Sequence, residues 1–330
     1  LTGFDARKVP LDDKPTLSLY STHEALHIEA DDIIGETGSI AVPEYGTKFV
    51  RQMLVDTMPS TIGDLIRISG LSHGTDVWLG NAKDLIASGT TDITGTICCR
   101  DDIMIYLISM GMDPKLSFTI MESVRKGRKL KPEWIPIMRE NNVPEWYIES
   151  CNKIKYLFPK AHAAAYVVNG FRIAYYKVHY PLAFYAAYFT IRAAALDAEA
   201  MLMGDAHMVE FIRRIEGDKS AAAIDQELAK TFEVTHEYYL RGFEFLPPDI
   251  YKSDATHFTI EDGKLRFPFS AIRGLGENAA KGLVSAREAG EFTSVEDIIS
   301  RSHISRTNAD QLKALGVFGD IPDSEQISFF

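Results

Sequence analysis

Ala271-Ile272-Arg273-Gly274-Leu275-Gly276-Glu277-Asn278-Ala279-Ala280-Lys281-Gly282-Leu283-Val284 is the stretch on which the reading of the fold turns. An apolar residue precedes a Gly-Leu-Gly triplet, and a helical pattern with small and apolar inner positions follows it. Glycine lets a backbone turn tightly and approach another group with no Cβ in the way. The helix opening after Gly276 presents unpaired N–H groups and the positive end of its dipole. Together these make a seat for a phosphate, with Arg273 and Lys281 as flanking cations. An ordinary turn between two helices with glycine caps reads the same way.

Two helices joined by such a turn form the helix-hairpin-helix pattern. Its contacts are to backbone phosphate, independent of base sequence and sensitive to salt. A weaker second copy runs over residues 304–318, with Leu312, Leu315 and Gly316. Between the copies, Thr293-x-x-Glu296 reads as a capping box. Just upstream, Asp262-Gly263 separates two strand-like runs, 257–261 and 264–267, the signature of a short hairpin. Phe243-Glu244-Phe245-Leu246-Pro247-Pro248 marks a change of texture, so a boundary is expected near 245.

Before that boundary the pattern is helical. A short helix is expected over 22–26, and another from about Gly46, with Phe49, Val50, Met53 and Leu54 as its apolar stripe. Further helices are expected over 62–68, 76–87, 101–110, 115–125, 133–141 and 144–158, separated by Gly and Pro. A long helix runs over 161–179, and Pro181 interrupts it before 182–192. Residues 197–242 read as amphipathic helices around an Ala-rich linker at 220–224.

At 330 residues, with 46% hydrophobic and 25% charged residues, the chain is expected to hold two or three globular domains. The three cysteines, Cys98, Cys99 and Cys151, match neither a disulfide framework nor a zinc spacing, which points to a reducing cytoplasm. No apolar run approaches a membrane span, and the chain starts at Leu1 rather than Met, so a piece of a longer protein is expected. A net charge of −11 argues at first against nucleic acid. Its distribution reverses that: residues 99–178 hold 13 Lys/Arg against 8 Asp/Glu, densest at Arg125-Lys126-Gly127-Arg128-Lys129-Leu130-Lys131. A basic middle in an acidic chain can hold phosphate locally, and Arg125, Lys126 and Arg128 are its candidate DNA contacts.

Four further segments could carry chemistry. The long helix has two faces: His162, Tyr166, Asn169 and Ile173 on one, Ala163, Val167, Gly170 and Ala174 on the other. The small face admits a close neighbour, while the first suits the phosphates and base of a nucleotide, or else two satisfied core residues. In Glu44-Tyr45-Gly46-Thr47-Lys48-Phe49-Val50-Arg51-Gln52, Lys48 and Arg51 are expected on a face opposite the apolar stripe. Ser69-Gly70-Leu71-Ser72-His73-Gly74-Thr75-Asp76 reads as a polar loop opening a helix at Asp76, either an N-cap or a phosphate nest. Gln326-Ile327-Ser328-Phe329-Phe330 reads as an extended ligand for a groove on a partner.

Catalytic machinery is not visible. The Asp-Asp pairs at 12–13, 31–32 and 101–102 lack the D-x-D strand context that aims two carboxylates at paired Mg²⁺ ions, and there is no P-loop and no H-E-x-x-H. No metal site is expected here.

These segments, taken in order, resemble the C-terminal part of the PolC-type DNA polymerase III α subunit, the C-family bacterial replicase. The resemblance is carried by 45–54, by 68–82, by Cys99-Arg100-Asp101-Asp102-Ile103-Met104, by 120–127 and by 142–148. Phe158-Pro159-Lys160-Ala161-His162-Ala163-Ala164-Ala165-Tyr166 is the most telling match. It implies fingers that close over an incoming dNTP, with Lys48, Arg51, Ser72, His73, Arg100, Lys160, His162 and Tyr166 as candidates for triphosphate, base or template. It also implies a palm with its aspartates and Mg²⁺ N-terminal to this chain, so that the chain has no catalytic residue and is inactive by itself. Gln326, Ile327, Phe329 and Phe330 are similar to the family's clamp-binding Q-L-S-L-F, with Ile327 and Phe329 at its two Leu positions.

The expectation is a mainly α chain. A helical fingers module spans 1–245, a β-hairpin with tandem helix-hairpin-helix elements (Arg273, Gly274, Gly276, Lys281) spans 246–320, and a clamp-binding peptide spans 321–330. The expected partners are primer-template DNA, dNTP, the β sliding clamp and the polymerase's palm and thumb, in the cytoplasm and away from membranes. A clamp-tethered DNA-binding adaptor without catalysis, or a helical scaffold, would account for the same residues.

Overall fold

A computed structural model describes residues 1–192, 195–218 and 220–324. The chain is mainly helical, with one small sheet, and divides into two compact units. One comprises Phe4–Ala30 and Gly35–Tyr175; the other comprises Leu1–Gly3, Asp31–Ile34 and the chain from Tyr176 onward.

The first unit contains α1 (Lys14–Ser18), α2 (Lys48–Thr57), α3 (Ile62–His73), α4 (Lys83–Ala87), α5 (Arg100–Ser109), α6 (Pro114–Val124), α7 (Trp134–Glu140), α8 (Glu145–Lys153) and most of α9 (Lys160–His179). Local chemistry starts these helices. Thr61 and Asp64 form a reciprocal capping box on α3, and Asp113 caps α6 through the Leu116 N–H at 2.8 Å with Pro114 in the first turn. The core is built from Leu65, Ile68, Ile103, Leu107, Ile120 and Val167, all buried. Gly70 lets α3 press against the next segment: a Cβ there would lie 2.5 Å from Cys99 Sγ and 2.6 Å from the Cys98 carbonyl oxygen. Burial pushes the Cys98 thiol up to about 11 and that of Cys151 to about 12, so both pack as apolar groups.

Three expected elements differ. The helix expected over 76–87 is broken at Leu79–Gly80, where Leu79 is extended and Gly80 has φ +69°, so only Lys83–Ala87 is regular. The helix expected over 144–158 stops at Lys153, because the backbone of Tyr156 pairs with Thr75. Residues 69–73, expected as a loop opening a helix, are the last turns of α3, which ends at Gly74.

The second unit carries the end of α9, then α10 (Pro181–Ile191), α11 (Ala198–Leu202), α12 (Asp205–Gly217) and α13 (Ala223–Leu240). A sheet follows in the order β1-β3-β2, from β1 (Phe245–Leu246), β2 (Thr259–Glu261) and β3 (Lys264–Arg266). The hairpin turns at Asp262 and Gly263, both at positive φ, as a two-residue connection requires. β1 adds alongside β3 in parallel. The last helices are α14 (Glu277–Glu288), α15 (Val295–Ser302) and α16 (Arg306–Ala314), whose shared core includes Leu275, Leu283, Ile298, Leu312 and Phe318. The cap of α15 is Ser294, which accepts the Asp297 N–H at 3.1 Å, rather than Thr293 with Glu296. No helix among the described residues is long and apolar enough to cross a membrane.

Two buried polar constellations bind this unit together. Lys177 and Glu237, both fully buried, are paired at 2.8 Å; the Tyr185 hydroxyl donates to Glu237 at 2.7 Å, and Arg241 donates to the Lys177 carbonyl at 3.0 Å. His236 lies between two carboxylates, with Nδ1 2.6 Å from Asp205 and Nε2 2.6 Å from Asp31. Burial opposes its charge, but hydrogen bonds to Asp205 and Asp31 prevail and raise its pKa.

Glu237→Ala is expected to cost about 3–5 kcal/mol in urea unfolding, because it leaves the Lys177 ammonium buried without a counter-charge, and Lys177→Met with Glu237→Leu to restore most of that. The His236 contribution is present below the ordinary histidine pKa of about 6.5 and is lost as pH rises through the elevated folded value. The stability gap between the native chain and His236→Gln is therefore expected to shrink as pH rises from about 6.5 through the elevated folded value; a gap that widens would contradict the arrangement.

Candidate nucleotide and nucleic-acid interfaces

In the first unit, two helix starts build one surface. Asp102 Oδ2 accepts the Cys99 N–H at 2.9 Å and the Cys98 N–H at 3.2 Å, capping α5. Its Oδ1 holds the Lys160 ammonium at 3.0 Å, while Asp101 accepts the Lys160 N–H at 2.9 Å. The Arg100 N–H closes the joint on the Phe158 carbonyl at 3.1 Å. Four rings run in series past it: His73 to Phe158 at 5.0 Å, Phe158 to His162 at 4.9 Å, and His162 to Tyr166 at 4.7 Å between centroids. His162, Tyr166 and Asn169 are exposed, whereas Ala163, Val167 and Ala174 on the other face of α9 are buried. Gly170 lies so near Pro43 that a Cβ would come within 3.0 Å of its carbonyl oxygen. His73 and His162 thus meet Phe158 directly, Tyr166 follows through His162, Ser72 through His73, and Arg100 joins by its backbone N–H; spacing within one helix did not single out Phe158 as the hub.

His73 is held from both sides. Its Nδ1 lies 2.8 Å from the Ser69 carbonyl and 3.0 Å from the Ser72 hydroxyl, and Nε2 lies 3.0 Å from Glu44. Both residues sit at the carbonyl end of α3, whose dipole is negative, so residues 69–76 do not offer the cradle of N–H groups that a phosphate nest needs. Lys48 and Arg51 part company. Lys48, the first residue of α2, is exposed, while Arg51 is only 7% exposed and Phe49, expected in the stripe, is 47% exposed. The buried arc of α2 centres on Val50 and Leu54, reaching Arg51 on one side and leaving Phe49 outside on the other.

The basic run 125–131 forms a loop after α6. Gly127 has φ +71°, and a Cβ on it would lie 2.4 Å from the Lys155 carbonyl oxygen. Glu122 engages both Arg125, at 2.8 Å through its second guanidinium nitrogen, and Lys126, at 3.2 Å. The Arg125 hydrogen bond, ahead of the other contributions, draws the Glu122 carboxyl down to about 2. Arg128 and Lys129 are exposed and pair with no carboxylate among the described residues.

In the second unit the Gly-Leu-Gly turn has the geometry that the sequence calls for. Gly274 sits at φ +87°, Leu275 is buried, and Gly276 caps α14 with open space where a Cβ would stand. Side chains of α16 hold the turn from behind: Gln311 donates to the Arg273 carbonyl at 2.8 Å and Asn308 to the Gly274 carbonyl at 3.3 Å. With those carbonyls taken, the start of α14 keeps the unpaired N–H groups that a helix N-terminus leaves. Gly282 allows the second contact of the motif, since a Cβ there would stand 2.5 Å from the Ser302 carbonyl oxygen. Arg273 is exposed, 3.9 Å from Asp197, and Lys281 pairs with Glu277 at 2.5 Å.

Five of the six carboxylates in the Asp-Asp pairs are engaged within the protein, all but the exposed Asp12. Asp13 caps α1, Asp31 and Asp32 meet His236 and Arg213, and Asp101 and Asp102 hold the start of α9. Among the described residues no three His, Cys, Asp or Glu side chains converge as metal ligands.

Residues 2–142 match the bacterial DNA polymerase III alpha subunit finger domain, and residues 242–326 match a helix-hairpin-helix motif. Over its whole length the chain is 50% identical to the DNA polymerase III PolC-type of Bacillus cereus, covering 23% of that protein. It is 48% identical to those of Thermotoga maritima and Bacillus subtilis, covering 24% and 23% of them. The chain is homologous to one segment of PolC-type DNA polymerase III. It spans about a quarter of the length of these PolC relatives.

Within this PolC-like segment, local reading missed the partners that arrive from afar: Asp102 for Lys160, Glu44 for His73, and Asn308 with Gln311 for the glycine turn. The tail residues Gln326, Ile327, Phe329 and Phe330 lie outside the described residues. The two glycines of the turn are separable by stability. Gly274→Ala places a Cβ in the left-handed region and is expected to cost about 1–2 kcal/mol. Gly276→Ala, at φ −66° in open space, should stay within about 0.5 kcal/mol in urea unfolding. Equal losses would contradict the turn geometry.

Proposed function

We propose that this chain is the part of a replicative DNA-directed DNA polymerase that positions the incoming dNTP and template and grips duplex DNA. The observation that carries the reading is the exposed face of α9. There Lys160, His162 and Tyr166 follow Phe158 beside Arg100 at the start of α5, within a chain homologous to the fingers and hairpin region of PolC. Cations neutralise a triphosphate, and an exposed aromatic ring offers a stacking face to a base. Lys160 acts with its charge offset by Asp102, so its part is to anchor α9 while Arg100, His162 and Tyr166 meet the nucleotide. Lys48 joins as an exposed cation at the start of α2. Arg51, being buried, positions α2 instead of touching phosphate.

The hairpin around Gly274 and Gly276 grips duplex phosphates through N–H groups, with Arg273 and Lys281 adding charge. Arg125, Lys126 and Arg128 make a second basic DNA contact. The tail Gln326-Ile327-Ser328-Phe329-Phe330 docks on the sliding clamp; its support is the likeness to the family's clamp peptide. Nucleotidyl transfer uses two Mg²⁺ ions to stabilise the attacking and leaving oxygens. The Asp31-Asp32 and Asp101-Asp102 pairs are committed to ion pairs and caps, and Asp13 to the start of α1; metal and catalytic carboxylates accordingly belong to the palm of the rest of the polymerase, and this chain by itself is inactive.

In the full-length polymerase, His162→Ala and Tyr166→Ala are each expected to lower kcat/KM for dNTP by about 10-fold or more, a loss of about 1.4 kcal/mol in transition-state binding. Tyr166→Phe, which keeps the ring, should stay near the parent value. Steady-state incorporation on a primed template measures this; unchanged kinetics in both alanine variants would return the two side chains to a structural role.

A further inference from the structure

We infer that the loop 125–131 and the extended segment 153–157 together form a track for single-stranded DNA, with Tyr156 as its stacking platform. This rests on the reading above that the basic loop contacts DNA, and it names the form of DNA that the loop takes.

The two segments are tied at two points, and the loop is tied once more to the end of α8. Gly127 lies against the Lys155 carbonyl, as described; the Leu157 N–H donates to the Arg125 carbonyl at 3.4 Å, and the Leu130 N–H to Asn152 Oδ1 at 2.9 Å. Their cations therefore stand on one frame, Arg125, Lys126, Arg128, Lys129 and Lys131 (3.8 Å from Glu133) from the loop, Lys153 and Lys155 from the segment. Neutralisation within the protein is partial. Glu122 serves Arg125 and Lys126, Asp76 serves Lys155 at 2.6 Å, and Lys153 donates to the Gly80 carbonyl at 3.0 Å, while Arg128 and Lys129 have no carboxylate among the described residues.

Tyr156 is 43% exposed among these charges. Its backbone is held on both sides by Thr75, which donates to its carbonyl at 3.0 Å and accepts its N–H at 3.4 Å, so the ring is presented from a fixed base. It also lies within electrostatic reach of Arg125. Leu79, at the kink before Gly80, is 63% exposed beside the Lys153 anchor. A partner that has both charge and exposed π-faces would engage the cations and these apolar side chains together. Single-stranded nucleic acid has both, and cationic grooves with aromatic plates are how it is bound without sequence preference. Duplex DNA hides its base faces. The glycine hairpin fits duplex instead, since no large apolar side chain is exposed between residues 271 and 314.

The test is fluorescence anisotropy of the 330-residue chain with a labelled oligothymidylate of about 16 nucleotides and with a duplex of equal length, over a series of salt concentrations. Arg128→Glu with Lys129→Glu is expected to lower single-strand affinity about 10-fold or more and to flatten the log–log salt slope by about 1.4. Tyr156→Ala is expected to lower it about 10-fold with the slope unchanged, and Tyr156→Phe to retain it. Duplex affinity should shift less than about twofold in all three, yet fall in Gly274→Val; thermal melting confirms that each variant folds. The inference is overturned if Tyr156→Ala binds the single strand as the parent does. Equal weakening of single strand and duplex by the charge reversal would overturn it too, as would displacement by polyglutamate as effective as by an oligothymidylate of the same charge. Duplex binding that still responds to Gly274→Val would then leave the broader reading standing; binding of neither DNA by the parent chain would overturn both.

Discussion

One carboxylate sets the geometry of the fingers-like unit. Asp102 caps α5 with one oxygen and holds the Lys160 ammonium with the other, so that α5 and α9 start from a single point. Its neighbour Asp101 takes the Lys160 N–H, one of the four that a helix start leaves unpaired. Everything on the exposed face of α9 inherits its position from this joint: Phe158 just before it, His162 and Tyr166 one and two turns beyond. A surface ion pair contributes little by itself. Here the pair shares its carboxylate with two backbone N–H groups, and its value is placement more than stability.

The hairpin follows the same logic with a different chemistry. Its backbone must leave N–H groups uncommitted in order to hold an anion, and a peptide with loose carbonyls nearby would hold an anion poorly. Gln311 and Asn308 take those carbonyls, and Gly282 lets α14 close on α15. Lys281 is paired with Glu277, so in the proposed grip the aligned backbone counts for more than the cations.

Much of this was legible along the chain, and what was not has a common cause. The two faces of α9 follow from the helical period, because small residues at 163, 167, 170 and 174 admit a neighbour only on one side. The turn at Gly274 followed from a conformation that only glycine adopts freely. By contrast, the partners of His236 lie 205 and 31 residues away at Asp31 and Asp205, and the partner of Lys177 lies 60 away at Glu237, distances that no window of local sequence spans. Burial of Arg51 came from the centre of an arc that tertiary packing chose. The break at Leu79–Gly80 and the early stop of α8 also came from pairing across the chain, at Lys153 with Gly80 and Thr75 with Tyr156. The cap of α15 moved by one residue, from Thr293 to Ser294, where two adjacent hydroxyls made local evidence equivocal.

The most direct test of the central claim is a ternary complex of the full-length polymerase with primer-template DNA and an incoming dNTP. The account expects the nucleotide against the exposed face of α9, with its triphosphate or base in contact with Arg100, His162 or Tyr166 and with Lys160 still held by Asp102. A nucleotide bound elsewhere, with His162 and Tyr166 facing only solvent or protein, would contradict it.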